Sequence, residues 1–400
     1  MKKLLLLLAT IFYLSVFSVY AFDFGLVFSQ DVDVKIPAFD FERTGIDISG
    51  VLLPRLTSQL GDNGALYISA AINYEGDPFA VVPELTRTDV NLNLGNINLS
   101  IGRMFYIDPL GITANGLFDG AQIAFITRNG NIRAGAWYTG LLYKERASIA
   151  MTDNELKASN VEVDYGDFAN TYFAPSRILA AVEYDHPSLT GSLGLKTSLL
   201  AQFAAGSENL NSQYLTAALS IPAKTFIFDL GVCMEMIEYN DETTPALAAN
   251  VGLTFILPTK LEKHIRLTWR YSSGVSEDKS INAFLPITTV SQGEILEAKF
   301  SGLTLLSLDF TGRMTDAISA TAEFTYFIRN DKGTYKSYWT EGADDGFSLG
   351  AEIFGRFVWT ISSGIRLNLG TGLFIPALGD VAPDSDIIWR TKLNLIFSIY

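Results

Sequence analysis

The sequence predicts an all-β fold: a transmembrane antiparallel up-and-down β-barrel of about 18 strands, with 16 as the next choice. Three observations carry this expectation. Apolar and polar residues alternate with period 2 along most of the chain, connections between the alternating segments switch between short and long, and mean hydropathy is +0.23 although only the N-terminus holds a long apolar block. Lipid cannot satisfy an open sheet edge, so a chain that spans a membrane without apolar helices must close its sheet.

The N-terminus reads as a cleaved leader. Lys2 and Lys3 precede an apolar run over 4–19, and Val19-Tyr20-Ala21 supplies the small residues of a cleavage site. The expected organisation is a signal peptide at 1–21 and one barrel domain at 22–400. Losing Lys2 and Lys3 makes the formal charge of −14 more negative still, which excludes a nucleic-acid partner. The single cysteine, Cys233, excludes a disulfide framework and a cysteine-based metal site.

Alternation is clearest in Ile365-Arg366-Leu367-Asn368-Leu369-Gly370, in Ile265-Arg266-Leu267-Thr268-Trp269-Arg270-Tyr271, and from Phe226 to Met236. Successive side chains of a strand point to opposite faces, so each segment has an apolar wall and a wet wall. Lipid contact is expected for Leu367, Leu369, Ile265, Leu267, Trp269, Phe226, Phe228 and Leu230. Strands are expected to begin near Phe24, Thr44, Ala65, Leu85, Ile97, Phe118, Ile132, Arg177, Gly191, Ser212, Thr225, Ala246, His264, Leu296, Ala317, Phe347, Gly364 and Ile387.

Short connections include Gly95-Asn96 and Asn129-Gly130, residues that accept positive φ in tight hairpins. Long ones cover 106–117, 145–176, 274–294, 330–346 and 376–386. An even strand number puts both termini and every short turn on the periplasmic side and the long loops outside. Trp137, Tyr143, Tyr271, Trp359 and Trp389 are candidates for an aromatic girdle at the membrane boundary.

Two segments carry resemblances. Residues 392–400 are similar to the C-terminal insertion signal of bacterial outer-membrane proteins, with Lys392, Phe397 and Ile399 matching, Asn394 in place of a glycine, and Tyr400 one residue out of phase. The resemblance implies the barrel-insertion machinery as a partner through Lys392, Phe397, Ile399 and Tyr400. Gly102-Arg103 followed by Phe118-Asp119-Gly120-Ala121 resembles the "GR … FDG" segment of large porins and alginate-export-like barrels. The acidic, aromatic-rich chain with a Leu-rich leader also resembles spirochaete outer-membrane proteins.

Catalytic motifs are missing. The only histidines, His186 and His264, fall on separate strands, and no metalloprotease, nucleophile-elbow or phosphate-loop pattern occurs. Asn240-Asp241-Glu242 and Asp344-Asp345 lack the spacing of a calcium loop and read as solvated turns. The expectation is no enzyme, no cofactor and no metal.

Function is then expected in the lumen or the loops. Strand parity assigns Arg266, Arg270, Arg356, Arg366, Arg390, Asp229, Glu235 and Arg103 to the pore lining, with Asp47, Asp89, Glu183, Asp185, Lys196, Lys299, Glu323, Glu352 and Lys392 on the same wet face. Acidic positions gather in the first two-thirds and basic ones in the last third, which suggests two facing walls of opposite charge. The third external loop, with Asp108 and Asn115 in its turns, is the candidate constriction, and 145–176 is its rival. The reading is a porin-like diffusion channel for small hydrophilic or ionic solutes in outer-membrane lipid; the alternative is a surface interaction or adhesin-type barrel working through its long loops.

Overall fold

The computed structural model describes residues 22–399 apart from 77–78, 150, 207–208 and 334–345. The leader, Tyr400 and Asp344-Asp345 therefore lie outside the described residues. Strands follow in chain order: β1 (Phe22–Pro37), β2 (Gly45–Leu60), β3 (Gly64–Gly76), β4 (Phe79–Asn93), β5 (Ile97–Ile107), β6 (Asn115–Thr127), β7 (Gly130–Tyr138), β8 (Arg177–His186) and β9 (Gly194–Ala204). The second half holds β10 (Leu210–Ala223), β11 (Phe226–Tyr239), β12 (Glu242–Ile256), β13 (Lys263–Ser272), β14 (Leu303–Arg313), β15 (Ile318–Arg329), β16 (Ser348–Ser362), β17 (Ile365–Ile375) and β18 (Ile388–Ile399). Each strand pairs antiparallel with the next, and β1 pairs with both β2 and β18, so the 18-stranded sheet closes on itself.

The alternation places side chains as expected. On β11, Phe226, Phe228, Leu230, Val232, Met234 and Met236 point outward and are 38–57% exposed, while Cys233, Glu235 and Ile237 point inward and are buried. Ile265, Leu267, Trp269 and Leu369 share the outward face, and Leu367 is half-exposed.

Sixteen strands start within four residues of the expected positions. β4 begins earlier, at Phe79 rather than near Leu85, and β14 begins at Leu303 rather than near Leu296. Residues 296–301 do alternate, but they belong to the connection and run inside the barrel, so Lys299 is not a wall residue. Tight turns lie on one rim, with positive φ at Gly95 and Gly130. The connections that follow β5, β7, β13, β15 and β17 leave from the other. The sorting is not strict: 187–193 and 257–262 belong to the short-turn rim, and the two-residue turn at 240–241 sits among the long connections. Asn240 and Asp241 have φ of +51° and +65°, a hairpin conformation that their side chains tolerate.

Two of the girdle candidates are corrected. Trp137 and Tyr143 are 3% and 5% exposed. Trp137 shares the inward parity of Arg133 and packs against Tyr106 in a tilted pair with ring centroids 4.4 Å apart. Tyr143 lies beyond the end of β7, in the 139–176 segment. Trp359 is outward at 40% exposure, and Trp269 stacks on Tyr271 on the outer face.

Candidate functional site

Eighteen strands enclose more space than their own side chains fill. Among the described residues, three connections from the long-loop rim run into it. The 108–114 segment is organised by Asp108, whose Oδ1 accepts from the backbone N–H of Thr113 (2.8 Å) and Ala114 (3.0 Å) and whose Oδ2 accepts from that of Leu110 (2.9 Å). Burial holds the Asp108 carboxyl above its ordinary range in spite of those three donors. The segment crosses to the opposite wall, where Thr113 Oγ1 lies 3.7 Å from Cys233 Sγ on β11.

The second infolding is 139–176. Its short helix, Asp153–Ser159, opens with a capping box between Thr152 and Glu155. Glu155 also takes the fully buried Arg177 guanidinium, which donates to Gln202 Oε1 at 2.7 Å as well. That arrangement ties the helix to β8 and β9.

The third, 273–302, is a strap across the lumen. Leu285 N donates to Glu235 Oε2 (2.8 Å) on β11, Ile287 N to Thr113 O (2.8 Å), and Thr289 N to Ser148 O (2.8 Å). On the far side Glu352 of β16 accepts three consecutive backbone N–H groups, from Glu294 (2.7 Å), Ile295 (3.0 Å) and Leu296 (3.2 Å). Phe284, Ile287, Ile295 and Phe300 of the strap join Tyr106, Phe118, Trp137 and Phe327 of the wall in one buried core. A signal for this core was present: Met104-Phe105-Tyr106-Ile107 is apolar on both faces, as in a strand buried on both sides.

The basic residues of the last third share one inner arc, and the strap covers them with carboxylates. Glu294 pairs with Arg356 and with Lys392 (3.1 Å), and Glu297 with Arg390 (2.7 Å), Lys392 (3.6 Å) and Lys35 (3.7 Å). Arg390 also holds Asp33 on β1. Arg270 Nη1 donates to Gln292 Oε1 (2.9 Å), and Arg266 lies 3.8 Å from Asp229. Arg366 is exposed on the inner face near the short-turn rim. The first two-thirds are paired as well, through Arg133–Glu183, Arg87–Asp89 and Arg146–Glu84. Local ion pairs thus replace two bare walls of opposite sign.

Arg103 departs from its expected place. It shares the parity of outward Ile101 and Phe105, is 6% exposed, and pairs with Asp119 at 2.7 Å in the wall itself. Gly102 and Gly120 stand opposite each other, as do Arg103 and Asp119, so the "GR … FDG" residues form one registered cross-strand unit. Asn115 N donates to Thr288 Oγ1 at 2.8 Å, joining the first infolding to the strap, a contact that no local pattern announces.

Two cavities open on the short-turn side of these segments. One of about 1120 Å³ is lined by the amides of Gln59, Asn98, Gln122 and Asn131 with the Arg133–Glu183 pair, under 107–111. The other, about 440 Å³, is lined by His264, Arg266, Arg270, Asp309, Glu323 and Arg356, under 291–294 of the strap.

No family model and no curated protein sequence matches the chain. Solved structures do. Pseudomonas aeruginosa OccK11 (OpdR) superposes with a TM-score of 0.61 at 12% identity over 94% of this chain and 96% of that one. OccK2 (OpdF) of the same organism, in complex with glucuronate, gives 0.64 at 10% identity over 94% and 96%. The P. aeruginosa outer membrane protein OpdK gives 0.59 at 10% identity over 94% and 98%. At these identities the chain shares the barrel fold of the Pseudomonas OccK and Opd proteins.

Proposed function

We propose that the chain is an outer-membrane, porin-like channel for small hydrophilic or ionic solutes, with both termini periplasmic and the long connections outside. The observation that carries it is a closed barrel with an apolar outer wall and a charged inner wall, narrowed by three infolded segments above two polar cavities. The narrowing falls to 108–114, anchored by Asp108 and met at Asn115 by the strap. Arg266, Arg270 and Arg356, beside the smaller cavity, are the side chains a small organic anion would meet there; the OccK2 neighbour holds glucuronate. Lys392, Phe397, Ile399 and Tyr400 are the contact with the insertion machinery. The "GR … FDG" unit contributes to the wall rather than to transport, and the alginate-export-like and spirochaete-type resemblances rest on sequence alone.

The mature chain reconstituted in planar bilayers should give discrete, ohmic conductance steps, and deletion of 109–113 should enlarge them. A folded, inserted barrel that passes no current at any voltage would overturn the reading.

A further inference from the structure

One seam of the barrel breaks off early. The β4–β5 register runs from Asn93↔Asn98 to Thr88↔Arg103 and stops, although β4 extends back to Phe79 and β5 on to Ile107. An open edge in a lipid-facing wall is what a closed barrel otherwise avoids. Here the edge carbonyls take side-chain donors instead. Arg103 donates to Leu85 O, Tyr172 to Pro83 O (2.8 Å) and Tyr165 to Val81 O. These three carbonyls alternate along β4, as expected of the row that faces the missing partner. Pro83 stands in the middle of that row and has no N–H to leave unsatisfied, so the sequence itself provides for the open edge.

Both tyrosines belong to the 139–176 segment and to a ladder of rings. Centroids are 6.2 Å apart for Tyr165–Phe168, 4.4 Å for Phe168–Tyr172 and 5.0 Å for Tyr172–Tyr143. Exposure falls from 60% at Tyr165 to 5% at Tyr143. The same segment sends Ile149 and Met151 into the luminal core, while outside the seam Val81, Leu85, Phe105 and Ile107 present an apolar surface. The ring ladder thus lies beside the gap and packs on Val82 of β4, running from the exposed Tyr165 to the buried Tyr143.

We propose that this seam is a lateral portal between the lumen and the bilayer for apolar or amphipathic solutes, with the Tyr143–Tyr165 ring ladder as its stopper. It rests on the channel reading above. The rings are joined to β4 by side-chain hydrogen bonds to carbonyls rather than by a strand ladder, an attachment that no fully registered seam would offer.

The test compares three forms in intact Gram-negative cells, using entry of N-phenyl-1-naphthylamine, and in planar bilayers, using KCl conductance. The forms are the native chain, Tyr165→Phe with Tyr172→Phe, and Val81→Cys with Tyr165→Cys joined by a bis-maleimide; the native Cys233 is buried and does not compete. Dye entry should be severalfold above cells lacking the chain for the native form, higher for the phenylalanine form, and at background once cross-linked, with KCl conductance equal in all three. Dye entry at the native rate after cross-linking, or at background in the native form, overturns the portal. Loss of KCl conductance with a dye response intact overturns the channel reading alone. Should the phenylalanine form fail to fold, the double-cysteine form compared before and after bis-maleimide treatment decides by itself.

Discussion

Glu352, an inward side chain of β16, is the point at which the strap can be loosened without altering strand pairing. It is 1% exposed and accepts N–H groups from three successive strap residues at 2.7–3.2 Å. A hydrogen bond to a charged group contributes about 1.5–3 kcal/mol, and removing one partner from a buried charged arrangement costs about 3–5 kcal/mol. Glu352→Ala leaves three strap N–H groups, two of them buried, without acceptors, and the strap can recover their solvation only by leaving the wall. Taking about 3–4 kcal/mol as the loss, the docked-to-undocked ratio falls by roughly two to three powers of ten. In single-channel recordings the variant should flicker between the native level and a larger one, with higher open-channel noise. Glu352→Gln, which keeps one acceptor oxygen, should fall between. A folded Glu352→Ala barrel with native conductance and native noise would show that the carboxylate does not hold the strap, and would refute the reasoning.

Other expectations follow from the same contacts. Glu294→Gln with Glu297→Gln uncovers Arg356, Arg390, Lys392 and Lys35 and should move the reversal potential in a salt gradient toward anions; an unchanged potential would mean that this arc does not set selectivity. Arg266→Glu with Arg366→Glu should move it toward cations. Leu369→Arg puts a charge on the outward face and should cost about 2–4 kcal/mol if the position lies near the bilayer midplane, read from urea titration in lipid vesicles. Burial raises the folded-state pKa of Asp108, so its stabilisation is full below the unfolded value of about 3.9 and is lost as pH rises through the folded one. Hydrogen exchange at 108–114 should therefore be slower at pH 4 than at pH 7 relative to the strands, and Asp108→Asn should abolish that difference.

The wall was legible and its contents were not. Period-2 alternation reports an extended backbone with two unlike faces, which is why Phe226–Met236 and Ile265–Tyr271 fell into place with the right side outward. It does not report which environment each face meets. Residues 296–301 alternate as well as any strand, yet Leu296, Ala298 and Phe300 pack into the luminal core and Glu297 reaches a basic wall. Arg103 misled for another reason: parity counting assigned it to the lumen, while in the structure it shares the face of outward Phe105 and is held in the wall by Asp119. Contacts such as Thr113 with Cys233 or Asn115 with Thr288 join residues more than a hundred positions apart, and no local pattern encodes them.

The strap's partners also dictate an order of assembly. Glu294 and Glu297 reach Arg356 on β16, Arg390 and Lys392 on β18, and Lys35 on β1. Lys35 joins the other three only when the last strand meets the first, a closure spanning nearly the whole chain and correspondingly slow. Until then the strap's carboxylates face an incomplete ring. Docking of 273–302 is thus a late step, and it places ionic staples across the junction that was last to form. Assembly intermediates should be sheets whose interior is still wet, sensitive to protease within the strap well after most strands have become protected.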